Sequence, residues 1–239
     1  MTGPYEPEAV AASMAERGYA VLPGFLTQAQ LEEADRFVRE AVGRSRGEYV
    51  GFDGASQLAG TTFDEIARSE ALLGLLRGLW SARTGTPPPD QDVYHILRCL
   101  SGVSGQANSL RFHYDSYVVT ALVPVSVPTR TDASGAGDLL LLPKRRPIRR
   151  TYPRNVLDKI MIENAVSQRR LKRCYATGGL IRIGLRPGHL VLFWGYETGH
   201  TNEACDPRAI RATAIYHFGE PHRDARSRRL ADRFRRTLH

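Results

Sequence analysis

From Asp92 onward the chain alternates short apolar runs with turns: VYHILRCL, SLRFHYD, VVTALVPVSVP, DLLLLP, LIRIGL, HLVLFW and IRATAIYHF. Runs this short, rich in β-branched and aliphatic residues and broken by Gly, Pro, Ser and Asp, read as strands. Seven or eight of them can bury their apolar faces by stacking as two sheets, a β-sandwich or jelly roll. The stretch from Arg145 to Gly178 interrupts the pattern. There Asn155 is placed to cap a helix over VLDKIMIENAVSQRRLKR, flanked by the arginines of PKRRPIRRTYPR. The stretch reads as a helical insertion over one end of the sandwich.

Ahead of the strands, the first 85 residues read as helical with one short strand. Thr27 and Gln30 form a capping-box signature, and Leu31, Ala34, Phe37, Val38 and Val42 keep helical spacing behind it. A second helix is expected over Thr62 to Arg83, striped by Phe63, Ile66, Leu72, Leu73, Leu76 and Trp80 and stopped by the prolines at 87–89. No internal repeat or second core is evident. The expectation is an α+β chain with a mostly β core, one domain over 1–239. It comprises a helical support (1–90), a jelly-roll core (91–220) carrying the insert (145–178), and a basic C-terminal helix (221–239).

Composition narrows the function classes. No apolar run approaches the roughly 18 residues of a membrane helix, and MTGPYEPEAVAASMAERG lacks the basic and apolar regions of a secretory signal. A cytoplasmic protein with no membrane segment is expected. Cys99, Cys174 and Cys205 form no CxxC pair and are expected as reduced thiols. A net charge of +8 raises the question of a polyanion partner, but only three of the 33 basic residues are lysines, an arginine bias that a GC-rich genome produces unaided. That bias does not explain the surplus over acids.

The chemistry gathers in Arg111 to Ser116, RFHYDS. Residues two apart on a strand point to one side, so His113 and Asp115 can offer a nitrogen and an oxygen to one ion. Alone, the pair fits two polar residues at a strand end equally well. His200, after the strand HLVLFW and a turn, supplies the third donor. Two histidines and a carboxylate form the facial triad of non-haem Fe(II), with open positions for a bidentate 2-oxo acid and O2. Arg211 follows eleven residues after His200, with Thr213 on the same strand face. A guanidinium in an apolar barrel needs an anion, and its planar fork suits the distal carboxylate of 2-oxoglutarate. Among the other histidines, His189 reads as structural and His95 as a core residue, while His217 lies too far along its strand to replace His200; His222 and His239 have no assigned role.

Together these motifs resemble the Fe(II)/2-oxoglutarate dioxygenase superfamily, more narrowly its phytanoyl-CoA dioxygenase-like branch. The likeness runs through GYAVLPGFLT from Gly18 to Thr27, FHYD, GDLLLLP from Gly137 to Pro143, LRPGHLVLF from Leu185 to Phe193, and the spacing from His200 to Arg211. It implies a double-stranded β-helix with N-terminal helices on one sheet, Fe(II) and 2-oxoglutarate as cofactors, and Asn202 as a further cosubstrate contact. Thr213 stands where serine is more usual, and Lys144 to Arg146 replace the usual Gly-Ser-His. Oxidative decarboxylation of 2-oxoglutarate to succinate and CO2, coupled to hydroxylation of an unactivated carbon, is the implied reaction. Desaturation, cyclisation and epimerisation use the same triad. Family halogenases lack the carboxylate ligand, and Asp115 is retained.

Tyr117, Trp194, Arg145 and Arg149 are candidate contacts to the substrate, expected to be a small molecule of bacterial natural-product or amino-acid metabolism; the arginines suit an anionic one. Core aromatics and solvated charges fit the same residues. Two readings of other classes stand beside this one. A nucleic-acid dealkylase of the superfamily carries an arginine where this chain has His217, and no basic groove interleaved with aromatics is evident. A non-catalytic binding sandwich is the other, which the complete triad with Arg211 argues against. Neither substrate identity nor oligomeric state is legible.

Overall fold

The apolar alternation past Asp92 folds as two antiparallel sheets. In the computed structural model, residues 5–130 and 135–225 are described. The chain runs α1 (Pro7–Arg17), β1 (Tyr19–Leu22), α2 (Gln28–Arg44), β2 (Val50–Asp53), α3 (Ala55–Leu58), α4 (Thr62–Arg68), α5 (Glu70–Thr84), β3 (Tyr94–Leu100), α6 (Gly102–Ala107), β4 (Val119–Ser126), β5 (Leu139–Leu141), α7 (Tyr152–Glu163), α8 (Ala165–Ala176), β6 (Ile181–Ile183), β7 (Leu190–Phe193), β8 (His200–Asn202) and β9 (Arg211–Phe218). The larger sheet has the order β1-β7-β4-β9-β3-β2, and the smaller one β6-β5-β8. This sheet-rich α+β arrangement fits a jelly-roll core. Among the described residues no helix is long and apolar enough to cross a membrane.

Strand periodicity divides the large sheet into two chemically distinct faces. One face turns Leu97 and Cys99, Val119, Ala121 and Val123, Leu190 and Leu192, and Ala212, Ala214, Tyr216 and Phe218 against Val38, Phe63, Leu72, Leu76 and Trp80 of the helices. The opposite face meets the small sheet, where Leu122, Val191 and Phe193 pack on Leu139, Leu141 and Ile183. At the other end of this inter-sheet layer apolar residues give way to polar ones, and the site lies there.

The Thr27–Gln30 capping box forms in both directions, with Thr27 Oγ1 accepting from the Gln30 N–H and Gln30 Oε1 accepting from the Thr27 N–H. Four expectations need correction. The single helix over Thr62–Arg83 is two, because Ser69 donates its hydroxyl to Ile66 O and accepts from Leu72 N–H, ending α4 and capping α5. The region before Asp92 holds two strands, β1 and β2, which extend the large sheet at its two edges. SLRFHYD forms no strand. Leu110 there takes a left-handed φ of 54°, and the segment contributes one isolated bridge, His113 to His200.

The fourth correction concerns the helix capped at Asn155. Asn155 lies inside the first turn of α7, while Asn164 ends α7 and caps α8 through Ser167 N–H. The expected basic helix over 221–239 lies mostly outside the described residues, and 221–224 form a turn. Helix α8 buries no side chain and is held by that cap together with polar contacts, Gln168 to both backbone groups of Phe112 and Tyr175 to Glu203. Asn164→Ala is expected to raise amide exchange in α8 about five-fold, equivalent to the roughly 1 kcal/mol of a lost N-cap. The global melting temperature is expected to stay within about 1 °C, and unchanged exchange in α8 would show that Asn164 does not hold it.

Candidate metal centre and cosubstrate pocket

His113 and His200 face each other because their backbones are bonded: His113 N–H donates to His200 O at 3.1 Å, and His200 N–H to His113 O at 3.0 Å. Their ring centroids lie 4.4 Å apart. Each imidazole is oriented by the carbonyl two residues earlier, His113 Nδ1 on Arg111 O at 3.0 Å and His200 Nδ1 on Thr198 O at 2.9 Å. A carbonyl only accepts, so each Nδ1 carries the proton and each Nε2 keeps a free lone pair.

Asp115 completes the group. Its N–H donates to Gly195 O at 3.0 Å; Oδ1 lies 3.7 Å from His113 Nε2, and Oδ2 lies 3.4 Å from His200 Nε2. The three side chains offer donor atoms within 4.8 Å of one another. Neighbouring ligands on an octahedral ion with bonds of 2.0–2.1 Å stand about 3 Å apart, so small shifts would close this face on one ion.

Electrostatics hold the donors ready for a cation. Burial alone would raise the Asp115 carboxyl, but the imidazoles of His200, His217 and His113 and the Thr120 hydroxyl outweigh it and hold it well below the usual carboxylate range. Burial pushes the His200 imidazole down to about 4, and lowers His217 as well. At neutral pH the carboxylate is ionised and the His200 ring neutral, the forms in which they bind metal.

Beside the triad a cleft of about 550 Å³, mouth included, runs between the sheets, lined by Ile96, Leu122, Leu139 and Ile215 and by polar residues from β3, β8 and β9. Arg211 lies in it, 4% exposed, donating Nε–H to Gly137 O at 3.1 Å. Among the described residues no carboxylate pairs with it; Asp138, the acid beside Gly137, is paired with Arg130. Burial pulls the guanidinium down to about 10, so it stays cationic at neutral pH. Gly137 has a left-handed φ of 76°, and a Cβ there would stand 2.8 Å from Arg211 Cγ; glycine is what lets the backbone cradle this arginine. Two β-residues on, the Thr213 hydroxyl is fully buried and has no hydrogen-bond partner among the described residues. A buried, unpaired cation next to an orphaned hydroxyl is costly unless an anion joins them.

The structure thus brings His113, Asp115, His200, Arg211, Thr213 and Asn202 to one cleft. The Asn202 amide nitrogen donates to Ser109 Oγ and Glu203 O. Tyr117 lies against the cleft residue His217, ring centroids 5.0 Å apart. The other candidates are spent on the protein. Trp194 is buried in the helix-side core with Arg83 over its ring. Arg145 donates to the carbonyls of Met14 and Ala15 near the end of α1, where a helix carries partial negative charge. Arg149 pairs with Asp158.

His95 sits against Tyr216 on the helix side, with Asp64 Oδ1 3.7 Å from its Nε2 and no hydrogen bond to that nitrogen among the described residues. The cleft also contains Arg98, Thr120, Thr201 and His217, none of which the sequence marks as a site residue. The signal for Arg98 was its alternation with Ile96 on β3, which reads equally well as an exposed strand face.

No protein-family model and no curated protein matches the sequence. The fold does match solved structures. One is a prolyl-4-hydroxylase from Pseudomonas putida, 14% identical over 91% of this chain and 96% of that one, TM-score 0.55. HygX from Streptomyces hygroscopicus, solved with nickel and 2-oxoglutarate bound, is 12% identical over 92% of this chain and 88% of that one, TM-score 0.59. SnoN, a non-heme alpha-ketoglutarate-dependent epimerase from nogalamycin biosynthesis, is 17% identical over 92% and 85%, TM-score 0.54. The chain has the fold of 2-oxoglutarate/Fe(II) oxygenases.

Arg146 shows why the basic insert belongs to the scaffold. Its guanidinium lies 4.0 Å from the Tyr114 ring centroid and 4.5 Å from that of Tyr196. It donates to Tyr196 O, Asp158 and Asn155 Oδ1, each at 2.8 Å, tying α7 to the loop between the two triad residues His113 and Asp115. Arg146→Ala leaves Asn155 buried without its partner and is expected to cost about 3 kcal/mol in denaturant unfolding. The exposed Arg150→Ala is expected to leave the midpoint unchanged; equal effects of the two would refute the scaffold role.

Proposed function

We propose that this protein is an Fe(II)- and 2-oxoglutarate-dependent oxygenase of the phytanoyl-CoA dioxygenase-like branch, with residues 1–239 acting as one oxygenase domain on a double-stranded β-helix core. The observation that carries the reading is the pairing, in one cleft, of a His-Asp-His donor group with a buried Arg211 and a buried Thr213 hydroxyl for which the described residues supply neither an acid nor a hydrogen-bond partner, respectively. A metal would complete the first, and the distal carboxylate of 2-oxoglutarate the second. HygX, of the same fold, holds nickel and 2-oxoglutarate.

His113, Asp115 and His200 would hold Fe(II), which with 2-oxoglutarate supplies O2 activation coupled to decarboxylation of the cosubstrate to succinate and CO2. The chain's own residues do the remaining work. The Arg111 and Thr198 carbonyls fix both imidazole tautomers, so Nε2 needs no proton loss to bind. Arg211 and Thr213 anchor the far end of the cosubstrate, with Asn202 and Arg98 lining the cleft beside them. Ile96, Leu122, Leu139 and Ile215 exclude water along the sides, which strengthens each ionic contact. The primary substrate is a small molecule, hydroxylated at an unactivated carbon in natural-product or amino-acid metabolism. The likeness to SnoN, an epimerase, supports epimerisation as a second outcome at the same site.

Anaerobic addition of Fe(II) and 2-oxoglutarate to the apo-protein is expected to produce the visible charge-transfer band of a chelated 2-oxo acid. Arg211→Ala is expected to weaken 2-oxoglutarate binding about 100-fold, the scale of losing one partner of a buried charge pair, with Fe(II) binding retained. Absence of the band in the wild type would overturn the assignment.

A further inference from the structure

The cleft contains a contact that neither ligand binding nor cosubstrate anchoring accounts for. Thr120 Oγ1 lies 2.6 Å from Asp115 Oδ2 and 3.2 Å from His217 Nδ1. A carboxylate can only accept, so the single hydroxyl proton goes to Asp115, and His217 must donate its Nδ1–H to the hydroxyl oxygen. His217 is too far from Asp115 for a direct bond, 3.8 Å from Nδ1 to Oδ2; the hydroxyl is the link. Thr120 and His217 are register partners on β4 and β9, and all three groups are buried.

Two further features hold this chain in place. The His217 ring lies nearly parallel to Tyr117 and Tyr94, 5.0 and 5.9 Å between centroids with interplanar angles of 17°, which sets its orientation. Gly195 leaves the necessary space, since a Cβ there would collide with Thr120 Oγ1 and Asp115 Oδ2, and its carbonyl takes the Asp115 N–H. The carboxylate is therefore gripped at one oxygen by its side-chain neighbour and at its backbone by the Gly195 turn, leaving Oδ1 without such a bond.

We propose that Thr120, backed by His217, is a positioning residue that fixes Asp115 as a one-oxygen metal ligand, with Gly195 making room for the arrangement. The proposal rests on the metal-site reading above. A hydrogen bond to Oδ2 also draws electron density from the carboxylate, so its loss lowers the energy of the charge-transfer band, while the lost orientation of Asp115 costs more Fe(II) affinity than the gain in donor strength returns.

The test is anaerobic titration of the purified full chain with Fe(II), then 2-oxoglutarate, reading the Fe(II) dissociation constant and the band position in wild type, Thr120→Val, Thr120→Ser and His217→Phe. Thr120→Val keeps the shape and removes the donor; it is expected to weaken Fe(II) binding about 10- to 100-fold, the scale of losing an outer partner of a metal ligand, and to move the band to longer wavelength. Thr120→Ser restores the donor and is expected to match the wild type in both. His217→Phe keeps the ring stack without the N–H and is expected to shift both readings in the same direction as Val but less, which keeps the proposal testable if the valine variant does not fold. A wild-type band with Thr120→Val or His217→Phe unchanged in both readings, or with serine as impaired as valine, overturns the positioning role alone. No band in the wild type overturns the metal-site reading and this proposal with it.

Discussion

Everything chemical in this molecule depends on the two-sided character of β9. Its alternate residues Ala212, Ala214, Tyr216 and Phe218 are locked into the helix-packed core, so Arg211, Thr213, Ile215 and His217 have no choice but to face the cleft. The strand is paired on both sides, with β3 over its whole length and with β4 on the other edge. A slip of one residue would put Tyr216 in the cleft and Arg211 in the core, at a cost no local rearrangement could offset. The position of the buried guanidinium is thereby set by apolar packing on the reverse side of the sheet.

The same principle separates the cations that are engaged within the scaffold from Arg211. Arg146 is buried but fully engaged, between two rings and against Asp158 and Asn155, and the exposed Arg130 pairs with the buried carboxylates of Asp138 and Glu203. Such sites satisfy the desolvation demand of a buried charge internally. Among the described residues Arg211 meets no acid and donates to the Gly137 carbonyl. Lys159, half-buried on α7, donates to Ser116 beside Asp115, and burial lowers its ammonium; with Arg146 it docks α7 on the segment that carries His113 and Asp115. The insert is thus coupled to the centre through polar contacts, which explains how a helix pair with so little buried apolar surface keeps its place.

Much of this was legible in the chain itself wherever the signal is local. Short apolar runs bounded by turn residues located β3, β4, β7 and β9, and the HxD spacing with a histidine and an arginine downstream located the donor group and its neighbouring cation. The capping box at Thr27 and Gln30 is equally a three-residue matter. Reading failed where a short side-chain bond overrides a long apolar pattern: Ser69 cuts one expected helix and Asn164 the other. It failed again at RFHYD, where pairing with His200 through a single bridge does the work of the expected strand. The arginines of the insert were indistinguishable from solvated charges, because their partners, Asp158 and the carbonyls of α1, are defined only by the docking of separate elements.

By itself the sequence determined the class of core and picked out residues able to bind a metal and an arginine suited to a carboxylate, because the HxD pair and the interval from His200 to Arg211 are written in spacings of two and eleven residues, although His200 lies far along the chain from the pair. Only the tertiary structure decided that Thr120 meets His217, 97 positions away, that Arg98 stands opposite Thr213, and that Trp194 belongs to the core. These are matters of strand register and of which sheet face a residue occupies, set by the packing of the whole core and recorded in no local stretch of the chain.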